Sequence, residues 1–259
     1  DETVIEEAPK KKAHALKGQY FRLDVGFGET MPIEFKPESG IFVPDTKKDG
    51  DGPRGVSFVP NSAMGRTRPE LNTESGVRVS AVAGYNFVEY AGVEIEIAAQ
   101  YARLGTVDVP GSGEVGGGGT YGGNQSYEVG GSLWQIPVLA NFVLQYPNRW
   151  NLTPFAGIGG GLVFMYTTIE SESTPLFGVT DGGTTDNPSL KGDRASGTVI
   201  VPAWQCFGGL RWEITKDIGI HGMYRYMATS DFSYNGELDG IEFDGAQSTS
   251  YSGGITFRY

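Results

Sequence analysis

The residues most able to do chemistry in this chain are ionisable side chains. They lie in segments where apolar and polar residues alternate. His221 is the best candidate for a general base, because histidine titrates closest to neutral pH. Ser252 could lie near it as a nucleophile, but no complete serine–histidine–acid arrangement can be read from the spacing. We therefore expect His221 to be a satisfied histidine in a polar interior.

Further charged residues fall on the same polar face as His221. They are Arg22, Asp24, Arg78, Glu94, Glu96, Arg211, Glu213, Arg225 and Arg258. Five of these are basic and four are acidic, so the set is close to neutral. Because buried charges are costly unless they are paired, this balance favours a closed network of ion pairs. The alternative is that the same side chains line a conducting path.

A weaker candidate for chemistry is the segment DTKKDGDG at 45–52. Asp45, Asp49 and Asp51 cluster around glycines in the manner of a calcium loop. The segment lacks the EF-hand spacing and its distal glutamate, so a solvated turn is the prediction and calcium is the alternative. The chain has only 2 histidines, which argues against a histidine-based metal site. We expect no cofactor.

The charged residues belong to segments in which apolar and polar side chains alternate strictly. Period-two alternation is typical of a β-strand with one apolar face. Eight such segments occur, at 20–27, 77–85, 93–101, 134–142, 154–166, 204–214, 218–226 and 251–259. The apolar face is rich in bulky aromatics, which fit the outside of a small barrel better than its interior.

The connections between these segments are of two lengths. The short ones are 86–92, 147–151 and 215–217, and the long ones are roughly 28–75, 105–130, 168–197 and 229–249. Short turns at one end and long loops at the other are typical of outer-membrane barrels. The sequence predicts an all-β fold: an eight-stranded antiparallel transmembrane β-barrel with short periplasmic turns and four long extracellular loops.

Composition narrows the class of protein further. The net charge of -11 argues against nucleic acid as a partner, and the single cysteine, Cys206, excludes an intrachain disulfide. No apolar stretch has the length that a transmembrane helix needs. We expect residues 1–18 to be a charged periplasmic lead and 19–259 to be the barrel. The chain reads as a mature protein whose export signal has been removed.

Several short motifs resemble a known family. TPFAGIGGG at 153–161, IPVLAN at 136–141 and YRY at 224–226 resemble the eight-stranded barrels of the OmpA membrane-domain and opacity-protein type. Phe257 and Tyr259 resemble the C-terminal aromatic signal that the barrel-assembly machinery reads in that group. The resemblance implies this fold and a location in the outer membrane of a Gram-negative-type bacterium. It implies no single activity, because members include anchors, adhesins, small pores and lipid A-modifying enzymes.

The expected function is that of a non-enzymatic surface or structural protein. The long loops are acidic, so we expect them to bind a protein or glycan partner, or the barrel to serve as a subunit of an envelope assembly. Outer-membrane lipid and the assembly machinery are further expected partners. A narrow pore or hydrophobic-compound channel is the first alternative. A lipid-modifying enzyme centred on His221 is the second, although the deacylase pattern of His and Ser on one strand is missing after His221.

Overall fold

The chain folds into antiparallel β-structure with eight long strands. The computed structural model describes residues 17–37, 40–44, 56–60, 68–109, 113–115, 119–121, 125–148, 150–170, 194–236, 238 and 241–259. The long strands are β1 (Gly18–Thr30), β2 (Gly76–Val88), β3 (Ala91–Val109), β4 (Gly130–Gln145), β5 (Leu152–Glu170), β6 (Arg194–Glu213), β7 (Ile218–Thr229) and β8 (Gln247–Arg258). Each contains one of the predicted segments to within one residue at its end, so the eight-stranded prediction is confirmed. No helix long and apolar enough to span a bilayer occurs among the described residues.

The eight strands close into a ring. Each strand from β1 to β8 pairs antiparallel with the next one along the chain. The last strand then pairs with the first, from Tyr20 opposite Arg258 to Thr30 opposite Ser248. Since a closed ring has no free edge, every strand finds hydrogen-bond partners on both sides. The wall therefore meets the requirement for a β-structure in hydrocarbon.

The outer wall carries an apolar belt between two aromatic girdles. Aliphatic side chains such as Ile95 and Ile97 are exposed at its middle. The girdle beside the short turns contains Tyr85, Phe87, Tyr90, Tyr146, Trp150, Trp212 and Tyr259. The girdle at the other end contains Phe27, Trp134, Phe164, Tyr166, Trp204, Tyr224 and Tyr251. Aromatic girdles around an apolar band are the exterior of a transmembrane barrel, as the alternation predicts.

The short turns are stabilised by local side-chain hydrogen bonds. Thr215 Oγ1 accepts hydrogen bonds from the backbone N–H groups of Asp217 and Ile218 at 3.2 and 3.0 Å. Asn148 Oδ1 accepts from the N–H of Trp150 at 2.9 Å, and Asn151 adopts a positive φ of 57°. Such side chains compete well for turn N–H groups, and asparagine tolerates the left-handed region. These turns mark the periplasmic end in an outer-membrane barrel.

The long connections contain more structure than the sequence predicts. Short strands in three of them join the extracellular end of β3 in one antiparallel sheet, which we call the capping sheet. Its order is Gln125–Glu128, the end of β3, Glu70–Thr73, Ile33–Pro37, Ile241–Phe243 and Phe232–Ser233. Separately, Gly40–Pro44 pairs with Val56–Pro60, and Gly113–Val115 pairs with Gly119–Tyr121.

The capping sheet has an apolar underside. Phe35 and Phe243 are buried with ring centroids 5.6 Å apart, and Phe232 stacks on Phe243 at 5.5 Å. Tyr234 packs edge-on against Phe243 and shares a 2.5 Å hydrogen bond with Thr167. Burial in this cluster raises the pKa of Tyr234 well above its ordinary value, so the phenol stays neutral. The loops are thereby held on the barrel mouth.

The underside of the capping sheet is continuous with inward-facing apolar residues of the barrel wall. These residues are Leu133, Leu139, Val163, Met165, Val201, Ala203 and Met227, all in the same buried cluster as Phe35. The interior therefore has an apolar extracellular part as well as the charged part predicted from the sequence. Residues 1–16 lie outside the described residues, and the boundary of the periplasmic lead stays a prediction.

The position of the apolar belt can be tested with one charge placed at its middle. We expect Ile97→Arg, at a side chain that is 55% exposed, to lower the free energy of unfolding in lipid vesicles by ~2–4 kcal/mol. Met31→Arg, just beyond β1, is the control and should change it by less than about 0.5 kcal/mol. Equal effects of the two substitutions in urea titrations would contradict the assigned belt.

Candidate functional site: the charge network in the barrel interior

The structure places all ten ionisable residues singled out in the sequence inside the barrel. Arg22 and Asp24 come from β1, Arg78 from β2, and Glu94 and Glu96 from β3. The remaining members come from β6, β7 and β8: Arg211, Glu213, His221, Arg225 and Arg258. Nine of them are buried and Arg258 is half-buried. We call this set the charge network.

Arg22 joins two carboxylates near the periplasmic end. Its Nη1 and Nη2 donate to the two oxygens of Glu94 at 2.9 and 3.3 Å, and its Nε donates to Asp24 Oδ2 at 3.3 Å. Tyr20 adds a hydrogen bond from its hydroxyl to Glu94 Oε1 at 2.6 Å. A bidentate arginine–carboxylate pair is among the strongest polar contacts that proteins make. β1 and β3 are linked through it although β2 lies between them.

Glu96 is the hub of the network. Its Oε1 accepts from Arg78 Nη2 at 3.0 Å and also from Arg225 Nη1. Its Oε2 accepts from Gln205 at 2.8 Å and from Asn141 at 3.2 Å. The four donors lie on β2, β7, β6 and β4, so one fully buried carboxylate ties five strands together across the interior. Two arginines depend on this single negative charge.

A second cluster lies where the barrel meets the periplasm. Arg211 Nε donates to Glu213 Oε1 at 2.8 Å, and Arg258 Nη2 donates to the same oxygen at 2.8 Å. Arg211 also donates to Gln145 Oε1 at 2.6 Å. Each charged group in the network therefore has at least one polar contact. The interior holds paired charges, which is what their desolvation requires.

Two inward phenylalanines fill the space between the clusters. Phe207 has the guanidinium groups of Arg22 and Arg225 over its ring at 5.8 and 5.6 Å from the centroid. Phe155 lies 6.4 Å from Phe207 and has Arg211 at 5.8 Å. Cation–π contacts of this kind strengthen when water is excluded. The aromatic rings thus serve both as filling and as partners for the arginines.

His221 is held by its neighbours. Its Nε2 lies 2.6 Å from Asp24 Oδ1. The other carboxylate oxygen, Asp24 Oδ2, accepts a hydrogen bond from the Ser80 hydroxyl at 2.8 Å. His221 Nδ1 lies 3.4 Å from Thr256 Oγ1, and the ring of Phe155 packs edge-on at 6.1 Å. The His221 side chain and Thr256 are both fully buried. Ser252, the nucleophile considered from the sequence, is not among these contacts.

Glycines provide the room that these side chains occupy. A Cβ at Gly254 would lie 2.6 Å from Asp24 Oδ1 and 2.8 Å from His221 Cε1. One at Gly157 would lie 2.4 Å from the ring of Phe207. A Cβ at Gly159 would likewise collide with Asn141 Oδ1. Two glycines of the 153–161 motif, Gly157 and Gly159, are therefore explained by what lies opposite them on neighbouring strands, and a larger residue at either position would displace the network.

Sequence reasoning missed the neutral members of the network. Tyr20, Ser80, Asn141, Gln145 and Gln205 each bond to a charged group and are buried. Their inward position was visible in the alternation, but their partners depend on how the strands are aligned. Among the described residues, no group of histidine, cysteine and carboxylate side chains could hold a metal ion. The calcium candidates Asp45, Asp49 and Asp51 lie outside the described residues.

The dependence of two arginines on one carboxylate predicts a large cost for its loss. Glu96→Gln keeps the shape of the side chain but leaves Arg78 and Arg225 without a counter-charge. We expect the free energy of unfolding in vesicles to fall by ~3–5 kcal/mol. Glu34→Gln, at an exposed position of the capping sheet, is the control and should change it by about 0.5 kcal/mol or less. A loss for Glu96→Gln no larger than the control would show that the hub does not hold the interior together.

Comparison with known proteins gives similarities of fold at low identity. No protein-family model and no curated protein sequence matches the chain. The outer membrane protein OprG from Pseudomonas aeruginosa is 17% identical, with 96% of this chain and 100% of that chain covered and a TM-score of 0.46. Neisserial surface protein A is 11% identical over 94% and 98%, with a TM-score of 0.46. The outer membrane protease OmpT from Escherichia coli is 8% identical over 96% and 100%, with a TM-score of 0.48.

Similarities of this size carry no argument about residues or activity. The assignment rests on the molecule itself. Its strands close into a ring, its exterior is apolar between aromatic girdles, and its charges are paired inside. These are the defining features of a transmembrane β-barrel. The protein is an eight-stranded transmembrane β-barrel.

Proposed function

We propose that this protein is a closed, non-enzymatic surface barrel that presents its capping sheet to a partner protein with a basic surface. The observation that carries the proposal is the capping sheet itself. Its underside is locked onto the barrel mouth by a buried aromatic cluster, so its upper side is a preformed surface. Preformed surfaces bind with less loss of conformational entropy than unstructured loops.

The upper side of the capping sheet is polar because its strands alternate. In Ile33–Pro37 and in Ile241–Phe243, the isoleucine and phenylalanine face down while Glu34 and Glu242 are exposed. Among the described residues of this sheet and its flanks, two bases lie in this region, and both are paired. Lys36 lies 4.0 Å from Glu242, and Arg68 lies 2.5 Å from Asp244.

The charge of this surface favours a basic partner. Its exposed or half-buried acids are Glu34, Glu70, Asp108, Glu128, Asp231, Glu242 and Asp244. Against these seven acids stand the two bases Lys36 and Arg68, which leaves a charge of -5 on the described part of this surface. A surface of one sign steers an oppositely charged partner and raises the rate of association. Aromatic side chains lie beneath this surface in the buried cluster.

The interior argues against a conducting pore. The charge network fills the interior from the periplasmic end up to Arg78 and Arg225, and the apolar cluster lies beside it and under the capping sheet. Eight strands enclose a space that side chains just fill. An ion would have to break the buried pairs at Glu96 and then cross an apolar layer.

The interior also argues against catalysis at His221. Asp24, His221 and Thr256 form an acid–imidazole–hydroxyl sequence, but the Thr256 contact of 3.4 Å is long and both groups are fully buried. A general base must reach its substrate within hydrogen-bond distance. The arrangement is better explained as a part of the ion-pair network.

Conductance in planar bilayers tests whether the barrel is closed. We expect the purified protein to insert without a persistent open level, because both parts of the interior block the path. Gel migration that differs between boiled and unboiled samples serves as the control for correct folding. A stable open level from correctly folded protein would contradict the closed interior and favour the pore.

Charge reversal tests the recognition surface. We expect the wild-type barrel in oriented vesicles to bind a fluorescent oligolysine, with an affinity that falls as salt rises, because the contact is electrostatic. Glu34→Lys combined with Glu242→Lys should weaken this binding several-fold. Glu89→Lys combined with Asp217→Lys makes the same charge change at the periplasmic turns and should leave it unchanged.

Two results would overturn this proposal. One is an absence of oligolysine binding by the wild type at low salt. The other is equal weakening by the two double variants, since the capping sheet would then have no role of its own. Binding that did not change with salt would also contradict an acidic recognition surface.

A further inference from the structure

An apolar groove runs along the outer wall near its extracellular end. It has a volume of about 290 Å³ and is lined by Val77, Val79, Ala99, Tyr101 and Trp134. These residues lie on β2, β3 and β4, on the face that meets the membrane. The groove is therefore open to the acyl chains of the outer leaflet.

The groove exists because a small residue lies among large ones. Tyr101 is paired with Val77 on one side and with Trp134 on the other, and its ring lies 5.0 Å from that of Trp134. The next outward residue on β3 toward the periplasm is Ala99, whose methyl group leaves a depression below these rings. The ladder between β3 and β4 is interrupted beside it, between Gln135 and Val138. Pro137 accounts for the interruption, because it has no N–H to donate.

An exposed arginine lies beside the groove on its extracellular side. Arg103 is the next outward residue on β3 after Tyr101, about 7 Å further along the strand. It is exposed, and no hydrogen bond or ion pair of its side chain occurs within the described residues. Even Glu74, whose N–H donates to the Arg103 carbonyl, makes no ion pair with it. Two other described bases at this end, Lys36 and Arg68, are paired in the capping region.

We propose that this groove is a binding site for a phosphorylated lipid of the outer leaflet, with an acyl chain along Ala99 and a phosphate on Arg103. The depth of the arginine matches this occupant, because it stands just beyond the aromatic girdle where headgroups begin. Guanidinium groups bind phosphate with charge-assisted hydrogen bonds. The described part of the capping sheet is acidic and repels phosphates, whereas Arg103 is exposed and makes no ion pair with another described residue. Arg103 therefore singles out this part of the wall.

The site differs from ordinary lipid contact in two respects. On a smooth wall, an acyl chain contacts protein along one side only. In the groove it contacts Val79, Tyr101 and Trp134 on several sides, so its dispersion contacts with the protein are more numerous. The phosphate contact adds selection by headgroup. We therefore expect one lipid to be retained preferentially when the protein is extracted with detergent.

Native mass spectrometry of the detergent-solubilised protein tests the site, with diphosphoryl lipid A and its dephosphorylated form as probes. We expect a one-to-one adduct with the diphosphoryl form. Arg103→Gln should weaken it about ten-fold, the effect of losing one charge-assisted hydrogen bond. Ala99→Trp should remove it by filling the groove.

Matched controls separate the groove from general effects on the wall. Ala140→Trp makes the same substitution at another exposed outward position of β4, and Lys216→Gln removes an exposed base at the periplasmic turn. Both should bind as the wild type does. Folding of each variant is checked by heat-modifiable gel migration.

The outcomes decide the proposal in either direction. Loss of the adduct in Ala99→Trp and Arg103→Gln with retention in both controls supports it. Equal binding of the dephosphorylated form would overturn the phosphate contact. Equal binding by Ala99→Trp and wild type, or no adduct with the wild type, would show that the groove holds only exchangeable bulk lipid.

Discussion

The constraint on which the structure depends is that no backbone polar group can be left unpaired in hydrocarbon. Closure of the ring by β1 and β8 meets this constraint, and the two-sided character of every strand follows from it. One face must then be apolar because it meets lipid. The other must fill a narrow interior, and there the chain places arginines and carboxylates that could not be tolerated unpaired.

The interior and the loops work as one structure. The charge network ties the strands together through Glu96 and Glu213, and apolar side chains fill the interior beneath the capping sheet. Phe155 and Phe207 lie among the arginines, so even the charged part is densely packed with rings. This filling supports the proposal that the barrel displays a surface and does not conduct ions.

The sequence predicts the strands better than it predicts the contacts between their inward-facing side chains. Period-two alternation identifies which side chains face inward, because facing is a local property of a strand. The contact of Glu96 with Arg78, Arg225, Gln205 and Asn141 depends on the alignment of five strands, and no local signal encodes that alignment. The charged residues could therefore be assigned to the interior, but their pairing could not be derived.

The capping sheet was missed for a related reason. Its strands Ile33–Pro37 and Ile241–Phe243 each carry the tripeptide Ile-Glu-Phe, which alternates over too few residues to stand out. These two strands lie near opposite ends of the sequence, so they can pair only when the barrel closes. The apolar part of the interior, with Leu139 and Met165, was also not predicted. The inward position of a side chain does not determine whether its surroundings are polar or apolar.

Cross-linking of the first and last strands tests the closed ring most directly. Leu23 on β1 is opposite Ile255 on β8, and both face outward. With Cys206 replaced by Ser, Leu23→Cys and Ile255→Cys should be joined by oxidation or by a short bifunctional thiol-reactive reagent in native membranes. Leu23→Cys with Tyr251→Cys, which lies four residues before Ile255 on β8, should not be joined. Failure of the first pair, or equal cross-linking of both, would contradict the ring.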